Sequence, residues 1–148
     1  MTPSPRRLVI ENRQRKRKLE VRALRSGLGR TLKSLWPEGS WEMCFHLVEA
    51  EEMARVNWSF LQHEGSTDVI TFDHSSDHPH LSMSGEAFIC VDDAVKSGRR
   101  FKTTWQKEVL RYGIHALLHL HGMTDHTEAG YRAMKREEKR LLAALAAE

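Results

Sequence analysis

At 148 residues the chain is long enough for one ordinary domain around one core, residues 1–148. With 40% hydrophobic and 29% charged residues it matches the averages of globular proteins, which excludes disordered and fibrous classes. The net charge of +3 hides an asymmetry: from Arg6 to Lys33 eleven basic residues face only Glu11 and Glu20, a net +9, so the rest of the chain carries −6. Such a basic face suits a polyanion such as RNA, and equally a solvated helix face with clustered arginines. The opening MTPSPRRLVIENRQRKRKLE has too short an apolar run for a signal peptide or a membrane span, so a cytoplasmic protein is expected.

In chain order, Leu8, Val9 and Ile10 form a short strand candidate. Leu24, Leu28, Leu32 and Leu35 recur at helical spacing and predict an amphipathic helix over 18–36, ended by Trp36-Pro37. WEMCFHLV, Trp41 to Val48, reads as a strand in which Met43, Phe45 and Leu47 alternate with Glu42 and His46. Met53, Val56 or Asn57, and Phe60 mark a second helix closed near Gly65. The β-branched and aromatic run DVITFD, Asp68 to Asp73, predicts another strand. HSSDHPHLSMSG after it is a polar loop, and EAFICV, Glu86 to Val91, a further strand. Asp92-Asp93 offers a start for a helix over 93–101. From Thr104 to His121 the pattern is helical and apolar, and Gly122 supplies the left-handed residue that stops it. Thr127 can cap a last helix whose Tyr131, Met134, Leu141, Leu142 and Leu145 face a core. These elements predict an α+β fold, a single domain with about four strands in a mixed sheet and about five helices. Cys44 and Cys90 sit in separate strand candidates and read as free thiols.

The chemistry concentrates in HALLHLHGMTDH, His115 to His126. His115 and His119 are four apart, one helical turn, so their rings can converge on one ion. Gly122 then turns the chain where Asp125 or His126 can swing back beneath the pair. Three protein donors leave one tetrahedral position for water, the arrangement of a catalytic zinc site. His121, two residues past His119, projects elsewhere and reads as packing or solvent-facing. A protease of the H-E-x-x-H kind needs Glu after the first histidine as general base, and Ala116 stands there.

The run resembles the YbeY family motif H-G-x-L-H-L-x-G-Y-D-H. Upstream, VNWSFLQHEGSTDVITF, Val56 to Phe72, is similar to the family's L-N-x-x-Y-R-x-x-x-x-P-T-D-V-L-S-F, and SGEAFICVDDA resembles its G-D-I-x-I-S block. The resemblance covers about residues 45–145. It implies a zinc-dependent endoribonuclease specific for single strands, acting in maturation of small-subunit (16S) ribosomal RNA and in ribosome quality control, on an α+β fold. It places His115 and His119 on the first two metal histidines. Counting from His115, the family's third histidine falls on Asp125; His126 takes that place only with an insertion after Gly122, an insertion that would displace Met134 from the family's methionine position. Asp125 is therefore the preferred third ligand and His126 its rival; carboxylate oxygen is an accepted donor.

Leu61 occupies the position of a family arginine thought to meet RNA phosphate, and an aliphatic side chain brings neither charge nor paired donors. Together with His63 it resembles a subgroup reading Y-L-N-H-x-x-x-T-D-I-I-T-F-D. His63 is the nearest replacement phosphate donor, and Arg13, Arg15 and Arg17 are candidate RNA contacts. Thr67 and Asp68 match the family's T-D, and with Asn57 read mainly as turn chemistry. The expected partners are precursor ribosomal RNA and the small ribosomal subunit. A non-catalytic ribosome assembly factor with a structural metal is the alternative reading, and a metallopeptidase is disfavoured by Ala116.

Overall fold

The structure is a computed structural model that describes residues 5–75 and 81–147. Its elements are β1 (Arg6–Asn12), α1 (Val21–Leu35), β2 (Ser40–Val48), α2 (Ala50–Val56), a π-helical turn (Asn57–Leu61), β3 (Val69–Asp73), β4 (Ser82–Cys90), α3 (Val91–Phe101), α4 (Trp105–Leu120) and α5 (Glu128–Ala146). One sheet, in the order β1-β2-β4-β3, holds the strands together. β1 and β4 flank β2 in parallel, and β3 closes the edge antiparallel to β4. This is the mixed four-stranded α+β architecture expected from the sequence.

The larger core lies between the sheet and helices α1, α4 and α5. Leu28 and Leu32 of α1, Phe45 and Leu47 of β2, and Ile114, Leu117 and Leu118 of α4 are all essentially inaccessible to solvent there. The helices approach closely because Gly113 has no side chain: a Cβ on it would stand 2.6 Å from Leu28 Cδ2. A smaller cluster of Met53, Val56, Ile70 and Phe88 forms under α2. α4 is thus the central helix, with most of its residues buried and only its last turns reaching an open cleft.

Several expectations need correction. The second helix does not run to Gly65: α2 passes into the π-helical turn, and Gln62, with φ 55°, stops it in the left-handed region. β4 begins at Ser82 rather than Glu86, because Ser82–Gly85 pair with Ser40–Met43 of β2, partners distant in sequence. The loop read over 74–85 is therefore shorter, and its residues 76–80 lie outside those described. α3 starts at Val91, with Asp92 and Asp93 inside its first turn. Asp92 instead accepts from the Ala50 backbone N–H at 2.7 Å, satisfying a free donor at the start of α2. His46, expected to face outward, is 9% exposed and stacks on Phe88 at 4.3 Å. Tyr131, expected to face the core, is 51% exposed and carries the Lys135 ammonium 5.4 Å from its ring centroid. Cys44 and Cys90 are free thiols.

Candidate metal centre

The site is built where α4 ends. Thr104 caps the helix start, accepting from the Lys107 backbone N–H, and the helix then carries His115 and His119 on one face. At the other end Gly122, with φ 111°, takes the left-handed conformation that a side chain would strain. Met123 N–H donates to Leu118 O and Gly122 N–H to His119 O, each at 3.0 Å, the paired bonds of a Schellman stop. The reversal brings residues 123–125 back beneath the two rings.

Three donor atoms converge as a result. His115 Nε2 and His119 Nε2 are 3.0 Å apart, and Asp125 Oδ2 lies 3.6 and 3.7 Å from them. His126 lines the cleft but contributes no atom to this convergence. Around a tetrahedral ion with bonds of about 2.0–2.2 Å, donors stand about 3.3–3.6 Å apart. The observed separations bracket that span.

The remaining ring nitrogens determine the tautomers. His119 Nδ1 is 3.1 Å from the Met123 carbonyl oxygen, which can only accept, so Nδ1 carries the proton. His115 Nδ1 is 2.7 Å from a carboxylate oxygen of Glu138, on α5. With both Nδ1 protons spent, two Nε2 lone pairs and a carboxylate oxygen face one another. That electron-rich trio is unfavourable alone and fits a divalent cation. Burial, reinforced by neighbouring His115, holds the His119 imidazole below its ordinary pKa and so favours the neutral ring a metal needs.

Glu138 was not singled out from the sequence, and it is 1% exposed. Burial alone would push its carboxyl up. The hydrogen bond from His115 and the charges of Lys135, His115 and Arg111 outweigh that, and the net shift is below the ordinary carboxylate range. Arg111 in turn holds Glu108 through Nε and Nη2 at 3.1 and 2.8 Å and reaches Glu138 at 3.3 Å. A buried ionic chain therefore backs His115, the carboxylate-histidine support that orients metal ligands in many proteins. The signal was legible: Met134, Glu138 and Leu141 share one helix face, and a carboxylate on an apolar stripe requires a partner.

The cleft in front of the histidines has a volume of about 410 Å³ and is lined also by Asn57, Leu61, His63, Thr67, Thr71 and His126. Asn57 donates to Gly65 O at 2.9 Å and closes the loop that carries His63. Asp68 accepts from its neighbour Val69 N–H at 2.7 Å, ordinary turn chemistry. His121 packs edge-on to Trp36 at 5.1 Å. Ala116 is fully buried, so the position after His115 points into the core.

Arg13, Arg15 and Arg17 do not line the cleft. They follow β1, at the sheet edge opposite β3. Arg13 ion-pairs with Glu52, the Arg15 backbone N–H donates to Glu49, and the Arg17 guanidinium lies 5.9 Å from the Trp105 ring centroid.

Fold and site together define an α+β protein with a two-histidine, one-carboxylate donor cluster at the end of its central helix. Residues 9–146 match the family model described as Endoribonuclease YbeY, and the chain belongs to the YbeY family. Curated relatives named Endoribonuclease YbeY include one from Chlorobium phaeobacteroides, 33% identical over 78% of this chain and 93% of that protein. Another, from Chlorobium phaeovibrioides, is 31% identical over 81% of this chain and 90% of its own length. A relative from Chlorobium luteolum reaches 38% identity, over 57% of this chain and 59% of that one. The solution structure of a Thermotoga maritima protein superposes with a TM-score of 0.63 at 22% identity, covering 93% of this chain and 88% of the other, a likeness of fold. Among the described residues no helix is long and apolar enough to cross a membrane.

Proposed function

We propose that the protein is a zinc-dependent endoribonuclease that cuts single-stranded RNA, with the precursor of small-subunit (16S) ribosomal RNA as substrate and maturation and quality control of the small subunit as its role. The observation that carries the reading is the convergence of His115, His119 and Asp125 at the floor of an open cleft. Family membership and the relatives' printed names point the same way.

Those three residues would hold the ion, with Asp125 as third ligand in place of the rival His126. When bound, a divalent ion supplies Lewis-acid polarisation of a phosphodiester oxygen and of attacking water. The protein's own groups do the rest. Glu138 and Met123 O keep both Nε2 atoms free of protons. His63 and His126, in the cleft wall, are positioned to meet phosphate and to return a proton to the leaving oxygen when the P–O bond breaks. The cations Arg13, Arg15 and Arg17 act at a distance, drawing the polyanion in.

A second reading, a non-catalytic assembly factor with a structural ion, is favoured by Leu61, which gives the cleft wall an aliphatic surface where a cation would serve phosphate. Metal analysis together with cleavage of a single-stranded RNA separates the two, using wild type beside H119A, D125A and H126A. The enzyme reading expects H119A and D125A to lose metal and cleavage together while H126A keeps its metal. Full cleavage by purified, metal-free H119A defeats it.

A further inference from the structure

A second cavity, about 520 Å³, adjoins the metal cleft and shares Thr67 with it. Its wall includes Lys96, Ser97, Arg100 and Phe101 from the C-terminal half of α3. Lys96, Arg99, Arg100 and Lys102 are all exposed, and among the described residues none is held in a salt bridge. Two carboxylates face the same cavity: Asp68, engaged with the Val69 N–H, and Asp93, half-buried beside Cys90 and Ser66. Within the cavity Lys96 and Arg100 balance these two carboxylates, and the surplus of positive charge comes from Arg99 and Lys102, exposed beside it at the end of α3.

Cations in a last helical turn also offset the helix dipole, and that alone would account for Arg99 and Arg100. It does not account for Phe101. Its ring is 60% exposed, with the Arg100 guanidinium 5.2 Å from its centroid. The turn beyond it is fixed: Thr103 N–H donates to Gly98 O at 2.9 Å, and a Cβ on Gly98 would stand 3.0 Å from Thr103 O. Phe101 stands on the open side of this ordered turn. Lys96 acts electrostatically on Asp93, but its ammonium is exposed, as is the Arg100 guanidinium. Exposed cations beside an exposed ring are how proteins grip single-stranded nucleic acid, the charges tracking phosphates and the ring stacking on bases.

We infer that the C-terminal end of α3 is an RNA subsite continuous with the metal cleft, in which Lys96 and Arg100 each take a phosphate and the Phe101 ring takes an unpaired base. The inference rests on the endoribonuclease reading and gives the chain, at a different place, the phosphate contacts that Leu61 cannot make. It also assigns the substrate strand a path, from His115 and His119 past Thr67 to α3.

The test is equilibrium binding of a fluorescent single-stranded RNA to the metal-loaded full chain across a salt series, beside a duplex RNA. K96Q/R100Q should bind about tenfold more weakly, and the slope of log K against log salt should flatten by about 1.4. F101L should bind at least about fivefold more weakly with the slope unchanged, while F101W retains affinity. Unchanged thermal melting shows that the variants are folded. Cleavage kinetics should show KM rising with kcat nearly constant. If wild type binds and cleaves RNA while both variants match it, this inference falls and the enzyme reading stands. If wild type neither binds nor cleaves, both fall. If F101L keeps free-RNA affinity but loses association with small-subunit particles, the surface is a protein contact and the subsite is rejected.

Discussion

Two charged regions of the chain use their charge in opposite ways. Between α4 and α5, the buried Glu108 and Glu138 and the half-buried Arg111 and His115 form a chain in which each group satisfies the next. Along β1 and α1 the cations are more numerous but lie at the surface and act singly. Arg6 donates to Gly39 O and Pro37 O, Arg25 to Leu8 O, and Arg13 pairs with Glu52. The contrast teaches that counted charge and charge available to a ligand are different quantities. Many of the basic groups in the +9 segment bind the protein itself, whereas the few between α4 and α5 shape the metal centre.

The sharpest way to break that comparison is E138A. Removing a buried carboxylate leaves the Arg111 and His115 donors without their acceptor, and metal-free protein should lose about 3–5 kcal/mol by urea unfolding. A loss below 1 kcal/mol would mean the chain is not a unit. The milder E138Q keeps the volume but gives up the charge, and zinc affinity, measured by competition with a chelating dye, should fall by about 10- to 100-fold. Equal affinity would remove Glu138 from the centre.

Acidification probes the same region. His119 titrates below its unfolded value of 6.5 and Glu138 below 4.5, so each binds its proton less readily in the folded state. Such stability is complete above the unfolded pKa and is lost as pH falls through the folded one. In chelator, the urea midpoint should decline from pH 7 downward, with a second decline below 4.5. H119Q should flatten the upper part; an unaltered profile in that variant would reject the assignment. The smallest effect is expected at the surface, where R13Q should cost under about 1 kcal/mol, because exposed ion pairs contribute little. A larger cost would show that the basic segment too is a cooperative network.

How much of this was legible depended on how local the cause is. Thr104, Gly122 and Thr127 act on their own neighbours, so both ends of α4 and the start of α5 could be read from single residues. His115 and His119 needed only helical spacing. Ser82–Gly85 could not be read as strand, because small polar residues join a sheet there only through partners in β2. Gly85 lies in a crowded place, where a Cβ would stand 2.9 Å from the end of the Leu120 side chain and 3.2 Å from Phe72 O. Glu138 is hard to single out for a related reason: it lies within the charged run KREEKR, which reads as a solvated face, and its partner His115 lies 23 residues earlier. The cavity beside α3 could not be read either, because Thr67, in the loop before β3, and Lys96 come to line one wall only once loop and helix have packed.

The dependence of His115 on Glu138 ties the first donor histidine to the last helix. Glu138 lies 13 residues beyond Asp125, and eight residues of α5 follow it. Without that helix the His115 ring has no carboxylate to fix its tautomer, so a chain cut short ahead of Glu138 is expected to hold a metal less tightly.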